Sequence, residues 1–214
     1  DNWEFIEDIA SRGKPVILST GMYQIEQIKQ VIDVIHKGGC TELCILHCVT
    51  NYPAKDSNIN LDVIRQIKDL FEGPIGYSDH TTGIAIPLAS IALGANVLEK
   101  HITIDKNVPN SQDWKVSCDQ SDFYQLVHDV RRIENSLGGE AKKISSEEMA
   151  SIDWARKSIT SVSSLSPGDI ITKNSICMQR PGTGIPGSEL HKVIGRTIVE
   201  PIAKGRLITW DHIK

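Results

Sequence analysis

The chain has 214 residues, 40% of them hydrophobic and 23% charged, enough for one good-sized globular domain or a domain with a small appendage. A formal net charge of -4 excludes a strong field toward nucleic acid, and no apolar run reaches the roughly 18 residues of a membrane span. The five cysteines (Cys40, Cys44, Cys48, Cys118 and Cys177) match no zinc spacing and read as reduced thiols of a cytoplasmic protein. The opening "DNWEFIED" shows no signal-peptide pattern and no initial methionine.

In chain order, four apolar runs have the β-branched content of buried strands: "KPVILSTG" (14–21), "ELCILHCV" (42–49), "GPIGYS" (73–78) and "NVLEKHIT" (96–103). None alternates cleanly, which suits a parallel sheet covered on both faces. Between them lie helical patterns. "IEQIKQVIDVIHKGG" puts Ile25, Ile28, Val31, Ile32 and Ile35 on one stripe and stops at Gly38-Gly39. "NLDVIRQIKDLF" repeats the pattern, and "GIAIPLASIALGAN" has the small residues of a helix packed tightly on a sheet. "SDFYQLVHDVRRIENSLGG" closes the series, again at Gly-Gly. Strand then helix, four times, predicts parallel βαβ units at their usual spacing of roughly 30 residues.

The character changes after Gly139. Residues 1–140 form the α/β part, and 141–157 read as a polar linker with one short helix. Residues 158–214 read as a small, loop-rich, mainly β module with turns at Pro167-Gly168, Pro181-Gly182 and Pro186-Gly187.

In parallel α/β proteins, ligand groups gather at the C-terminal ends of strands. Every strand end here is polar: Ser19-Thr20-Gly21, His47 with Thr50-Asn51-Tyr52, Ser78-Asp79-His80 and Glu99-Lys100-His101. Four in succession suggest one shared site. Two imidazoles at neighbouring strand ends, His80 and His101, could hold a divalent metal and leave positions open for water and substrate. Spacing alone favours a plainer reading, two hydrogen-bonded histidines near a sheet edge. Ser19 and Ser78 could contact a phosphate or carboxylate, or merely cap helices. Lys14, at the wrong end of its strand, reads as surface. His47 reads as a satisfied core histidine, and His36, His128, His191 and His212 as solvated. Asp79 could orient a ligand, although strand alternation should turn it away from Ser78 and His80.

The motifs "KPVILSTGM", "LHCVTNYP", "GYSDHTTG", "LGANVLEKHIT" and "RPGTGI", in this order, resemble the sialic acid synthase family of N-acetylneuraminate, legionaminate and pseudaminate synthases. The resemblance implies a parallel (β/α)8 barrel of the TIM type followed by a small antifreeze-like (SAF) domain. It implies condensation of phosphoenolpyruvate with an N-acyl amino sugar, giving a nine-carbon 2-keto acid and phosphate. Carried over, His80 and His101 resemble the divalent-metal ligands, with manganese or magnesium polarising the sugar aldehyde. Ser19 and Ser78 match serines that hold phosphoenolpyruvate. Tyr52 matches a tyrosine near both substrates, and Asn51 or Thr50 its polar neighbour. Asp113 matches an aspartate that contacts the sugar. Arg180 of "QRPG" resembles the SAF arginine that reaches across a domain-swapped homodimer to the N-acyl group.

Two departures stand out. In "NSQDWKVS", Trp114 replaces the family's histidine and Asn-Ser-Gln its Gly-Pro, which puts the identity of the sugar in question. Only four βα units precede the SAF-like module, and they resemble the last four of the barrel, without the family's N-terminal glutamate and lysine. The expectation is an incomplete chain, inactive alone. The rival reading is a non-catalytic carbohydrate-binding protein that keeps the pocket and the SAF module.

Overall fold

The computed structural model describes residues 2–108, 111, 113–139 and 141–214. The chain divides into two compact units, 1–139 and 140–214.

In the first unit, four strands run parallel and adjacent in sequence order: β1 (Val16–Ser19), β2 (Leu43–Cys48), β3 (Ile75–Asp79) and β4 (Val97–Lys100). The helices α1 (Trp3–Ala10), α2 (Ile25–Lys37), α3 (Val63–Leu70), α4 (Ala85–Ala92) and α5 (Gln120–Leu137) cover one face of this sheet in the chain order of βα units. Sequential parallel strands wound in this way form a curled half-barrel sheet of the TIM type. The strands are shorter than the apolar runs predicted, because the polar residues at their ends leave the ladder and turn into the site. Helix α1, unread in the sequence, is a capped amphipathic helix whose Asn2 side chain accepts from the Phe5 N–H.

The pleat sorts residues between two faces. Val16 and Leu18, Leu43 and Ile45, Ile75 and Tyr77, and Leu98 face the helices, where they join Ile28, Val31, Ile32, Ile35, Ile64 and Ile67 in one core. Fully burying one such isoleucine contributes about 1.5–3 kcal/mol, so this layer dominates the unit's stability. The inner face carries Ile17 and Ser19, Leu46 and Cys48, Gly76 and Ser78, and Val97 and Glu99. Ile17 there is 63% exposed.

At Gly76 the inner face has no room. A Cβ would lie 2.3 Å from the Val97 carbonyl oxygen and 2.5 Å from Leu46 Cδ2. The glycine lets Leu46 lie across β3 and lets β4 sit close beside it.

In the second unit the stretch after Gly139 carries two four-residue helices, α6 (Ser146–Met149) and α7 (Ile152–Ala155), where one was predicted. An antiparallel pair follows, β5 (Ser158–Ser161) with β6 (Ile176–Gln179), and isolated bridges complete a loop-rich β module. Its core is almost entirely isoleucine: Ile159, Ile171, Ile176, Ile185, Ile198, Ile202, Ile208 and Ile213. Two copies of one turn supply half of these residues. In Ile171–Ile176 ("ITKNSI") and Ile208–Ile213 ("ITWDHI"), the Thr side chain and the residue three later cap one another. The second copy corrects the reading of His212 as merely solvated. Its Nδ1 accepts the Thr209 N–H at 3.0 Å, so the imidazole is part of the turn.

Candidate active site

The chain turns from strand to helix at the C-terminal ends of β1–β4, and the predicted polar residues gather there. His80 follows β3 and is 4% exposed. Its Nδ1 lies 2.8 Å from the Val49 carbonyl oxygen, which can only accept, so Nδ1 carries a proton and, in the neutral ring, Nε2 is the nitrogen with the lone pair. The Ala54 N–H donates to the His80 carbonyl and ties the loop after β2 over the end of β3. Tyr52, on that loop, stacks on the His80 ring at 4.1 Å between centroids.

His101 follows β4, and its ring meets the His80 ring edge-on at 5.2 Å. It also meets Tyr52 at 5.6 Å. The His101 carbonyl accepts from the Cys118 N–H, which fixes the exit of β4. Asp113 Oδ2 lies 3.7 Å from His101 Nδ1, an electrostatic contact rather than a hydrogen bond. Four of the residues picked from sequence, His80, His101, Tyr52 and Asp113, therefore share one locus. Within the "NSQDWKVS" loop, Asn110 and Gln112 lie outside the described residues. Trp114 is about one-third exposed, with the Lys115 ammonium 5.5 Å from its ring centroid.

Ser78, buried on the inner face, donates to Glu99 Oε1 at 3.0 Å. In the sequence Glu99 stood out only as part of a polar strand end; strand register supplies its partner, since Ser78 pairs with Glu99. Cys48 was missed. It sits between the rows, paired with Ser78 and 3.9 Å from His80 Nδ1. Burial is the main cause that raises its thiol above the usual range, so it is a neutral wall rather than a nucleophile.

Ser19 ends β1 and is exposed, in register with Leu46. Thr50 packs against the turn after β1, where a Cβ on Gly21 would fall 2.0 Å from Thr50 Oγ1. Thr50 and Asn51 line a cavity of about 580 Å³ with Thr20, Gln24, Asn58 and Asn60. Neither His80 nor His101 lines it. Met22 stands at its rim with a left-handed backbone (φ 66°) and is 85% exposed. Lys14 is exposed, as predicted.

His47 faces the helices. Its Nε2 lies 2.6 Å from the Ile59 carbonyl oxygen, and burial pushes its pKa down. It is the satisfied core histidine expected. Tyr52 is pushed up, first by desolvation and then by the nearby Cys48, Asp113 and Glu99, so its hydroxyl stays protonated at neutral pH.

Arg180 lies in the second unit. Its Nε donates to the Ala155 carbonyl at 3.0 Å, and its guanidinium carbon sits 5.7 Å from the Trp154 ring centroid. The terminal nitrogens of an arginine held in this way remain available for a carbonyl or carboxylate.

A curled parallel half-barrel with a histidine pair at its C-terminal end, joined in sequence to a small β module, defines an enzyme-like class of (β/α) barrel proteins. Residues 1–142 match the NeuB family, and the chain belongs to it. Residues 156–214 match the SAF domain. The chain is 36% identical over 217 residues to an N,N'-diacetyllegionaminic acid synthase of Legionella pneumophila, covering all of this chain and 61% of that protein. It is 34% identical over 215 residues to the human N-acetylneuraminate-9-phosphate synthase, covering all of this chain and 59% of that protein. The crystal structure of an N-acetylneuraminic acid (sialic acid) synthetase from Leptospira borgpetersenii superposes with a TM-score of 0.64 at 35% identity, over 71% of this chain and 52% of that one. The chain thus spans about 60% of the length of these curated relatives.

Proposed function

We propose that this chain carries the C-terminal barrel strands and SAF module of a nonulosonic acid synthase. The reaction joins C3 of phosphoenolpyruvate to the aldehyde carbon of an N-acyl amino sugar such as N-acetylmannosamine. Water adds at C2, and phosphate leaves by C–O cleavage. The observation that carries this reading is the convergence of His80, His101 and Tyr52 at the ends of β3, β4 and the loop after β2.

The donor set fits a divalent ion. The Val49 carbonyl engages the His80 Nδ1–H, which leaves Nε2 as the ligating nitrogen of the neutral ring, and His101 faces it. Among the described residues no group of three or more His, Cys, Asp or Glu could hold a metal, so two imidazoles leave most positions to water and substrate. A bound Mn2+ or Mg2+ would supply Lewis-acid polarisation of the sugar aldehyde. The chain's own residues do the rest. The Ser19 hydroxyl donates to phosphoenolpyruvate, and the Ser78 hydroxyl does so by turning from Glu99 Oε1, its partner in the free chain. Tyr52, Thr50 and Asn51 orient the two substrates, and Asp113 accepts from a sugar hydroxyl. Arg180 of a second copy, in a swapped homodimer, donates to the N-acyl oxygen. Further barrel strands complete the inner face that leaves Ile17 exposed, and the 214-residue chain alone turns over no substrate. A cytoplasmic setting goes with reduced cysteines and with phosphoenolpyruvate as substrate.

The test is titration of the chain with Mn2+, followed by electron paramagnetic resonance of the free ion. Binding is expected in the wild-type chain and lost in both His80→Ala and His101→Ala. Undiminished binding in either variant refutes the ligand assignment.

A further inference from the structure

Directly behind the histidine pair, on the helix-facing side, lies a buried ionic network that the proposed reaction does not use. Lys100 Nζ donates to Asp79 Oδ2 at 2.7 Å, and the side chains are 2% and 0% exposed. The same ammonium donates to the Thr81 carbonyl at 2.7 Å. Asp79 Oδ1 accepts from the Tyr77 hydroxyl at 3.0 Å, the Thr81 N–H at 2.9 Å and the Thr81 hydroxyl at 2.8 Å.

We infer that this network sets the convergence of His80 and His101, which makes Asp79, Lys100, Tyr77 and Thr81 positioning residues of the site. The inference rests on the metal reading above only for what the imidazoles hold; the geometry stands apart from it. Asp79 and Lys100 are register partners, and each immediately precedes one of the histidines. Alternation sends the charged pair to the helix side and the imidazoles to the inner side. His80 is flanked on both sides by residues bonded to Lys100: Asp79 through its carboxylate and Thr81 through its carbonyl. One cation at the end of β4 thereby ties the chain on either side of His80, through the Asp79 side chain and the Thr81 carbonyl, and the residue after it is His101. Packing alone does not call for this arrangement, since apolar side chains of similar volume usually serve stability as well as a buried ion pair or better. What directional bonds add over apolar contact is a fixed separation of the two strand ends.

The experiment uses three readouts on the 214-residue chain: circular dichroism for folding, the imidazole-to-imidazole nuclear Overhauser contact between His80 and His101 without metal, and the Mn2+ dissociation constant. The Asp79→Asn/Lys100→Met double variant removes both charges and leaves no buried charge unpaired. It is expected to fold, to lose the histidine contact and to bind Mn2+ about 10- to 100-fold more weakly. A folded double variant with the contact and the affinity both intact overturns the inference. If the double variant does not fold, Thr81→Val and Tyr77→Phe each remove one donor to Asp79 and keep the ion pair. These are expected to weaken the contact and the affinity by smaller, graded amounts, and two folded variants identical to wild type overturn the inference equally. His80→Ala and His101→Ala separate the two claims. Mn2+ binding that survives them refutes the metal reading, and the metal-free contact then decides the role of the network.

Discussion

Replacing Gly76 by alanine sets two effects of opposite sign against each other. In the unfolded chain, alanine has less conformational freedom than glycine, which by itself stabilises the fold by about 0.4–1 kcal/mol. In the fold, the new Cβ lies 2.3 Å from the Val97 carbonyl oxygen and 2.5 Å from Leu46 Cδ2. Comfortable distances are about 3.3 Å for a carbon against a carbonyl oxygen and about 3.5 Å between carbons, so each contact is short by about 1 Å. The carbonyl belongs to the backbone of β4, and Leu46 is fully buried, so neither moves freely. Overpacking of this kind costs typically about 1–3 kcal/mol, and the steric term wins. Gly76→Ala is expected to lower the stability of the first unit by about 1–2 kcal/mol net of the entropy gain, and Gly76→Val by more. Urea unfolding followed by circular dichroism reads this as a lower midpoint for the first unit. An alanine variant as stable as wild type, or more so, would show that β3 and β4 are not as close as described.

Three further outcomes can be measured, one in the first unit's core and two at Arg180. His47 is held neutral in the fold with a depressed pKa, whereas in the unfolded chain it takes up a proton below about pH 6.5. Below that pH the unfolded state binds more protons, so stability falls as pH falls toward the folded pKa, by up to about 1.4 kcal/mol per pH unit; thermal melts from pH 7.5 to 5.5 should show a slope that His47→Gln reduces, and an equal slope in both would refute it. In a synthase with the complete barrel, Arg180→Ala should raise KM for the amino sugar more than for phosphoenolpyruvate. Trp154→Ala, which removes the ring beneath the guanidinium, should shift the same KM by about two- to fivefold, and a shift confined to phosphoenolpyruvate would count against both.

The sheet was legible because its strands are continuous apolar runs with polar ends, and both properties are local. Helix α1 was not, because "WEFIEDIA" is short and its burial is decided by the partner that Ala10 meets at the end of α2. The convergence of His80 and His101 was open from spacing, since 21 residues of intervening chain say nothing of strand register. Alternation correctly turned Asp79 away from its neighbours, but its partner Lys100 could be found only once β3 and β4 were paired. The partner of Glu99 was hidden for the same reason: facing Ser78 is a property of two strands and not of either motif.

The pleat gives the pairs Asp79-His80 and Lys100-His101 a use in protein design. Each dipeptide spans the thickness of the sheet, with an anchor in the helix layer and a donor in the lumen. A histidine pair grafted alone onto two parallel strands of another barrel would inherit that scaffold's strand spacing. Grafting four residues in the same register would carry the spacing with them, as a cassette that needs only a dry cavity behind it.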